Sequence, residues 1–166
     1  GGLRAASSSI TLANSIVAGN PSAGLTGDDI NTGTFTSAGH NFIGESASGA
    51  FVDGAGGDQV GVIGAPIAPE LKPLGDYGGS TLTQPPLPAS PVVDAGSCPL
   101  ITADQRGVKR PIDVAGVTNA ADACDIGAFE LEAAATLSRI EVPVRWCGLR
   151  GSPSVDHTWI RPSSMP

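Results

Sequence analysis

Apolar residues recur at every second position in short bursts, and Gly, Asn, Asp and Pro separate these bursts. Ile10, Leu12 and Ile16 lie on one face if residues 10–17 are extended, which predicts a single half-buried strand there. Similar bursts occur around residues 35, 42–43, 60–62, 82, 92–93, 101 and 126–129. No helical stretch of the dozen or so residues that a parallel crossover needs separates them. The pattern therefore favours an all-β fold built from short strands.

A weak internal repeat narrows the choice of β architecture. Asn-Ser-Ile-Val at 14–17 resembles Asn-Phe-Ile-Gly at 41–44, 27 positions later, and a period of 20 to 30 residues with many turn residues is typical of a solenoid. We expect a fragment of a right-handed parallel β-helix, in which Asn14 and Asn41 stack as a turn ladder. The alternative is a β-sandwich of about seven short strands. The absence of Asn-Gly hairpin signals disfavours it.

Composition and charge exclude several classes of protein. Leu, Ile, Val and Phe make up 38 of 166 residues. This fraction is just above the ~20% below which chains tend to be disordered, so we expect the chain to fold. The 23 Gly and 14 Pro would interrupt long helices. The net charge of −7 argues against nucleic-acid binding, and no apolar run is long enough for a membrane-spanning helix.

The distribution of charge predicts a domain boundary near residue 130. Residues 1–136 carry five basic and fourteen acidic side chains, whereas residues 137–166 carry four and two, together with both tryptophans. We expect residues 1–130 to form the β-helix coils with their closing segment, and residues 131–166 to form a linker and a weakly ordered tail. An out-of-frame or recombined end would look similar. Because the sequence begins at Gly1 without Met, we expect it to be the C-terminal piece of a longer protein, in which further β-helix coils precede it.

Six short motifs in series carry a resemblance to a known family. They lie at residues 14–20, 38–44, 78–83, 90–96, 104–107 with Arg110-Pro111, and 124–130. Over residues 9–130 the series resembles the choice-of-anchor Q domain, the closing part of bacterial right-handed parallel β-helix surface proteins. The resemblance implies an exported, repeat-built protein whose terminal anchor varies. Two features depart from the family pattern: a proline-rich connection at 84–88, and a tail without a sorting signal.

The cysteines bear on the cellular compartment. Cys98 and Cys124 have 25 residues between them, and in an exported chain a disulfide between them would stabilise the fold by about 3.5 kcal/mol through loop entropy. The alternative is two unpaired small apolar residues. Cys147 and His157 supply too few ligands for a tetrahedral zinc site. We therefore expect neither a metal nor another cofactor.

Three aspartates near the end of the predicted domain allow two interpretations. Asp94, Asp104 and Asp125 would supply a base, an acid or calcium ligands in a polysaccharide-degrading β-helix enzyme. In the alternative they form a capping network with Arg106 and Arg110, whose guanidinium groups pair with carboxylates and with free carbonyls. We favour capping because the aspartates come with guanidinium partners in a closing segment.

Other polar residues give weaker signals. Gly and Asp at 28–29 and at 54–58 resemble one imperfect copy of a calcium-binding repeat, but solvated turns are the simpler interpretation. His40 is expected in a turn or on the surface, because no nucleophile motif accompanies it.

Together these patterns favour a structural or adhesive segment of an exported bacterial surface protein without an active site of its own. Its expected location is extracellular or at the cell surface, and its expected partners are cell-surface carbohydrate or protein. The alternatives are the terminal part of a polysaccharide lyase or glycoside hydrolase, and a passenger segment like that of an autotransporter.

Overall fold

A computed structural model describes residues 2–20, 29–31, 33–46 and 49–132. The chain divides into two units, Gly1–Ala134 and Ala135–Pro166, and all of the described residues belong to the first. The tail predicted at 131–166, with Cys147 and His157, lies almost entirely outside the described residues. The strands are β1 (Ser9–Leu12), β2 (Ile16–Val17), β3 (Thr34–Ser37), β4 (Phe42–Ile43) and β5 (Gln59–Val60), and a short 3₁₀ segment covers Ala55–Gly57.

The strands form two small parallel sheets. In the first, β1 pairs with β3, and Ser9 lies opposite Thr34. In the second, the order is β2, β4, β5, with Ile16 opposite Phe42 and Phe42 opposite Gln59. In each of these three strand pairs, the opposing residues are 17 to 26 positions apart in the sequence.

A bend at Asn14 separates β1 from β2, so the prediction of one continuous strand over residues 10–17 is wrong. Asn14 has a left-handed backbone with φ of 47°, and His40 has φ of 55° at the equivalent bend between β3 and β4. Asn tolerates this conformation better than most residues. The bend turns β2 into a different sheet, so Ile16 and Leu12 pack against different parts of the core.

Two groups of apolar residues form the core. The first includes residues from strands of both sheets, and its buried members are Ala5, Ile30, Phe35, Ile43 and Phe51. The second joins β4 to the later part of the chain through Phe42, Val92 and Ile126. The second group therefore packs Val92 and Ile126 against β4 of the three-stranded sheet.

The prediction of a right-handed parallel β-helix is wrong. The two sheets hold only two and three strands, and they do not continue into a solenoid. Among the described residues after β5, pairing is confined to isolated antiparallel bridges, such as Gly75 with Thr83 and Gly96 with Cys124. The bursts around 82, 92–93, 101 and 126–129 form no strands. Proline has no N–H to donate to a ladder, and it occurs at 66, 69, 73, 85, 86, 88 and 91.

Among the residues that the structure describes, no helix is long and apolar enough to cross a membrane.

Candidate functional site

The charged groups of the last described segments meet in one buried site, which we call the closing cluster. Asp94, Asp125 and Glu130 are 0% exposed. Three stretches of sequence contribute: the turn at 90–96, residues 104–110 and residues 124–130. The members of the closing cluster are Asp94, Asp104, Arg106, Arg110, Asp125 and Glu130.

The turn at 104–107 forms because Asp104 satisfies its backbone donors. One oxygen of the Asp104 carboxylate accepts hydrogen bonds from the N–H groups of Arg106, at 2.8 Å, and of Val108, at 3.0 Å. Gly107 has φ of 85°, a conformation that costs glycine little. The Asp-Gln-Arg-Gly sequence is therefore suited to this reversal, which directs the Arg106 side chain back over Asp104.

Arg106 joins this turn to the end of the described chain. Its Nε and Nη2 lie 2.9 Å and 2.8 Å from the second carboxylate oxygen of Asp104, and its Nη2 donates to the carbonyl of Glu130 at 2.7 Å. The guanidinium also stacks on the Phe129 ring, 3.4 Å from the ring centroid. One side chain thus holds a carboxylate, a carbonyl and an aromatic face.

Arg110 makes a second buried ion pair, with Glu130. Its Nε lies 3.1 Å from a carboxylate oxygen of Glu130 without the alignment of a hydrogen bond, and its Nη2 donates to the carbonyl of Gly127 at 2.7 Å. Glu130 also accepts from the N–H groups of Ile112 and Asp125. Glu130 was not predicted as a site residue, although it directly follows the apolar burst at 126–129, and this position is a signal for a buried carboxylate.

Asp125 and Asp94 bind backbone N–H groups rather than guanidinium groups. The two oxygens of Asp125 accept from Asp94 N–H at 2.8 Å and from Leu131 N–H at 2.6 Å. Asp94 accepts from Val114 N–H at 3.1 Å. Of the five residues expected in a capping network, Arg106 pairs with Asp104. Arg110 pairs instead with Glu130, which was not among the five, and Asp94 and Asp125 bind backbone N–H groups.

Burial and hydrogen bonding shift the pKa values of these carboxyl groups in opposite directions. Burial would raise the pKa of Asp104, but hydrogen bonds from Glu130 N–H and from Arg106 outweigh it, so this pKa is lowered. Burial raises the pKa of Asp125 to about 6, and the neighbouring Glu130 and Asp94 charges add to the rise. Burial also raises the pKa values of Asp94 and Glu130. In the closing cluster the pKa of Asp104 is therefore lowered, whereas the pKa values of Asp94, Asp125 and Glu130 are raised.

Asn14 attaches the closing cluster to the first bend of the chain. Its amide accepts from Ser97 N–H at 2.9 Å and donates to the carbonyl of Asp125 at 3.1 Å. Asn41, which is 0% exposed, accepts from Ser15 N–H at 3.2 Å and donates to the carbonyl of Leu12 at 3.1 Å. Each amide thus bonds to backbone of a neighbouring segment, where the sequence analysis expected the two amides to stack.

The structure places Cys98 and Cys124 in a disulfide, with the sulfur atoms 2.06 Å apart. Both cysteines are buried, and Cys124 directly precedes Asp125 of the closing cluster. A buried cysteine pair at bonding distance is compatible with an extracellular protein.

The aspartates that resembled calcium ligands are buried, so the expectation of solvated turns is wrong for them. Asp58 is 2% exposed; it accepts from Ser37 Oγ at 2.6 Å and from Asn41 N–H at 2.8 Å. Asp29 is 3% exposed and accepts from the N–H groups of Asn20 and Glu45. Asp28 lies outside the described residues. Both described carboxylates therefore serve as hydrogen-bond acceptors for backbone.

An open groove of about 1240 Å³ runs along residues 14–20, 68–71 and 126–129. Leu74, Leu82 and Thr83 line it, and Glu70 is the one carboxylate among the described residues of its lining. Hydrolysis of a glycosidic bond ordinarily requires a pair of carboxyl groups. The groove offers an apolar and amide-rich surface rather than such a pair.

The described acidic residues therefore act chiefly as acceptors that hold separate segments together. In the closing cluster, each carboxylate binds N–H or guanidinium donors of the protein itself. A general base needs a lone pair that a substrate can approach, and the burial of these carboxylates opposes that role. Comparison of the chain with protein-family models, with curated proteins and with solved structures gives no match in any of the three.

Proposed function

We propose that the described part of the chain is a structural closing segment of an exported bacterial surface protein, without an active site of its own. The observation that carries this proposal is the enclosure of the closing cluster, in which Asp94, Asp125 and Glu130 are 0% exposed. Their oxygens are used by the backbone of segments that no continuous sheet connects. The cluster thus supplies the cross-links that a region of isolated bridges lacks.

Two ion pairs and one disulfide concentrate these cross-links in a small volume. Arg106 ties the turn at 104–107 to Glu130, and Cys98 ties the turn after Asp94 to Cys124. Removal of one partner from a buried ion pair leaves an uncompensated charge, which costs about 3–5 kcal/mol. This cost favours a role in which the cluster keeps the segment rigid.

The disulfide supports export to an oxidising environment, and we propose an extracellular or cell-surface location. Exposed leucines at the groove, Leu74 at 62% and Leu82 at 55%, support an adhesive contact with cell-surface carbohydrate or protein. Single contacts of this kind are weak, and they gain strength when several copies bind together.

We also propose that the chain is related to the choice-of-anchor Q domain. Three of the six motifs that carry the resemblance supply every member of the closing cluster: 90–96, 104–107 with Arg110-Pro111, and 124–130. A joint role in one buried site is a physical reason for these motifs to occur together. The proposal concerns the relationship and the export, because the β-helix that the family implies is not the fold found here.

The test of this function combines cleavage, binding and stability. The 166-residue chain is incubated with a panel of polysaccharides and assayed for reducing-end release, and it is also applied to a glycan array. Asp94→Asn is compared with Asp113→Asn, which alters an exposed carboxylate nearby. We expect release at the buffer level for every variant, and a lower melting temperature only for Asp94→Asn. Release by the wild type that disappears in Asp94→Asn at an unchanged melting temperature would replace this proposal with the polysaccharide-degrading alternative.

A further inference from the structure

A second set of chemically active atoms lies beside the closing cluster. The sulfur atoms of Cys98 and Cys124 and a carboxylate oxygen of Asp122 all lie within 4.8 Å of one another. In the part of the chain that the structure describes, these residues form a group of the size that can hold a metal ion. Thiolate and carboxylate together suit Zn²⁺ and related divalent ions.

Asp122 carries a second observation that points to a cation. Its Oδ2 accepts a hydrogen bond from Cys98 N–H at 2.9 Å, which fixes the carboxylate beside the sulfur atoms. Its Oδ1 is enclosed and has no hydrogen-bond partner among the described residues. A buried oxygen left in this state is costly, and a bound cation would remove that cost.

We propose that the reduced form of the protein binds one thiophilic divalent cation, such as Zn²⁺, through the thiolates of Cys98 and Cys124 and the carboxylate of Asp122. Two sulfur atoms at about 2.3 Å from one tetrahedral ion lie about 3.8 Å apart. The Cα atoms of the two cysteines are 6.0 Å apart, so rotation of the side chains can reach this spacing without a shift of the backbone. Water completes the fourth position.

An external thiol or phosphine reduces the disulfide between Cys98 and Cys124 and so frees the two sulfur atoms for metal binding. Two electrons from the reductant break the S–S bond, and two protons from solvent convert the sulfur atoms into thiols. Binding of the divalent ion then releases both thiol protons. Because the same two sulfur atoms form the disulfide and ligate the ion, the two states exclude each other.

Once the two thiols have lost their protons, the local charge favours cation binding. Two thiolates and the Asp122 carboxylate carry three negative charges, and a divalent ion leaves one. A carboxylate oxygen of Glu130 lies 3.6 Å from the Cys124 sulfur, and Arg110 balances the charge of this carboxylate. The turn containing Cys98 would therefore stay joined to Cys124 in either redox state, by a covalent bond or by a metal ion. This inference goes beyond the proposed structural role, because it assigns a ligand and a condition for binding it.

The test uses the full chain with Cys147→Ser, so that two cysteines remain. The protein is reduced with a phosphine under anaerobic conditions and titrated with Co²⁺, whose thiolate charge-transfer absorption reports sulfur ligation, and then with Zn²⁺ in competition. We expect one equivalent to bind to the reduced form and none to the oxidised form. Asp122→Asn should weaken binding at least about tenfold, since even partners outside the ligand shell contribute roughly 10- to 100-fold. Asp113→Asn is the matched control and should leave the affinity unchanged.

Circular dichroism with and without Zn²⁺ covers the case in which the reduced chain unfolds. We then expect Zn²⁺ to restore the folded signal in the Cys147→Ser protein but not in its Asp122→Asn derivative. Three results would overturn the proposal: no sulfur ligation after reduction, equal affinity of Asp122→Asn and Asp113→Asn, or equal binding by the oxidised protein.

Discussion

Replacement of Arg106 with Ala removes the side chain that joins the turn at 104–107 to residues 124–130 in the closing cluster. The Arg106 side chain is 8% exposed and its partner Asp104 is 0% exposed. The variant leaves the Asp104 carboxylate buried without its guanidinium, and it leaves the carbonyl of Glu130 without the donor that now lies at 2.7 Å. It also exposes the face of Phe129 on which the guanidinium stacks.

The expected loss of stability follows from these contacts. Breaking a buried ion pair by removing one partner costs about 3–5 kcal/mol, and Asp104 keeps three backbone donors, which places the loss near 3 kcal/mol at the lower end of that range. For a domain of this size, 1 kcal/mol corresponds to about 3–5 °C in melting temperature. We therefore expect Arg106→Ala to lower the melting temperature by about 10 °C.

Thermal and urea unfolding measured by circular dichroism test this value. Lys109→Ala is the matched control, because Lys109 is an exposed cation only three positions away and its loss should stay within about 0.5 kcal/mol. Arg106→Lys should fall between the two variants, since a lysine keeps the charge without the planar fork. The urea m-value should be unchanged if the folded and unfolded states keep their compactness.

Equal melting temperatures for Arg106→Ala and Lys109→Ala would refute the reasoning. The ion pair would then contribute no more than an exposed pair does, and the closing cluster would not be the element that holds this region together.

Three further predictions concern the same region. The pKa of Asp125 is raised to about 6 in the folded state, whereas the pKa of an unfolded Asp is about 4. The contribution of Asp125 to stability is therefore fully present below about pH 4 and is lost as pH rises through 6. Urea unfolding between pH 4 and 7 should show this decline, and Asp125→Asn should flatten it. Replacing both Cys98 and Cys124 with Ala should cost about 3.5 kcal/mol in non-reducing urea unfolding, and an unchanged midpoint would contradict a stabilising disulfide. Asn14→Ala removes the hydrogen bonds to Asp125 and Ser97 and should destabilise the fold by about 1–3 kcal/mol, as measured by calorimetry. A variant as stable as the wild type would contradict this expectation.

Local signals in the sequence were sufficient for part of the site. The sequence placed Asp104 and Arg106 in one capping network, and the structure pairs these two side chains. The spacing of Cys98 and Cys124 pointed to the pair that the structure joins. These features depend on residues near one another in the chain or on the few cysteines present, so composition and spacing are informative.

The buried aspartates show where such signals end. Asp58 looks like a turn residue in the sequence, yet it accepts hydrogen bonds from Ser37 and Asn41, 21 and 17 positions away. Glu130 binds Arg110 and Ile112 from another loop. A carboxylate is buried only when distant segments bring it donors, and no local pattern records which segments those are.

The sequence by itself determined short extended segments separated by turn residues, an acidic charge and a cysteine spacing suited to one cross-link. Only the tertiary structure decided that parallel pairing stops after Val60 and that isolated bridges, a disulfide and buried ion pairs take its place. Period-two apolar patterns report which side of a strand is buried, but the same pattern fits a strand that pairs and an extended loop that does not. Whether a ladder continues depends on which donors and acceptors the fold brings together, and that depends on the whole chain.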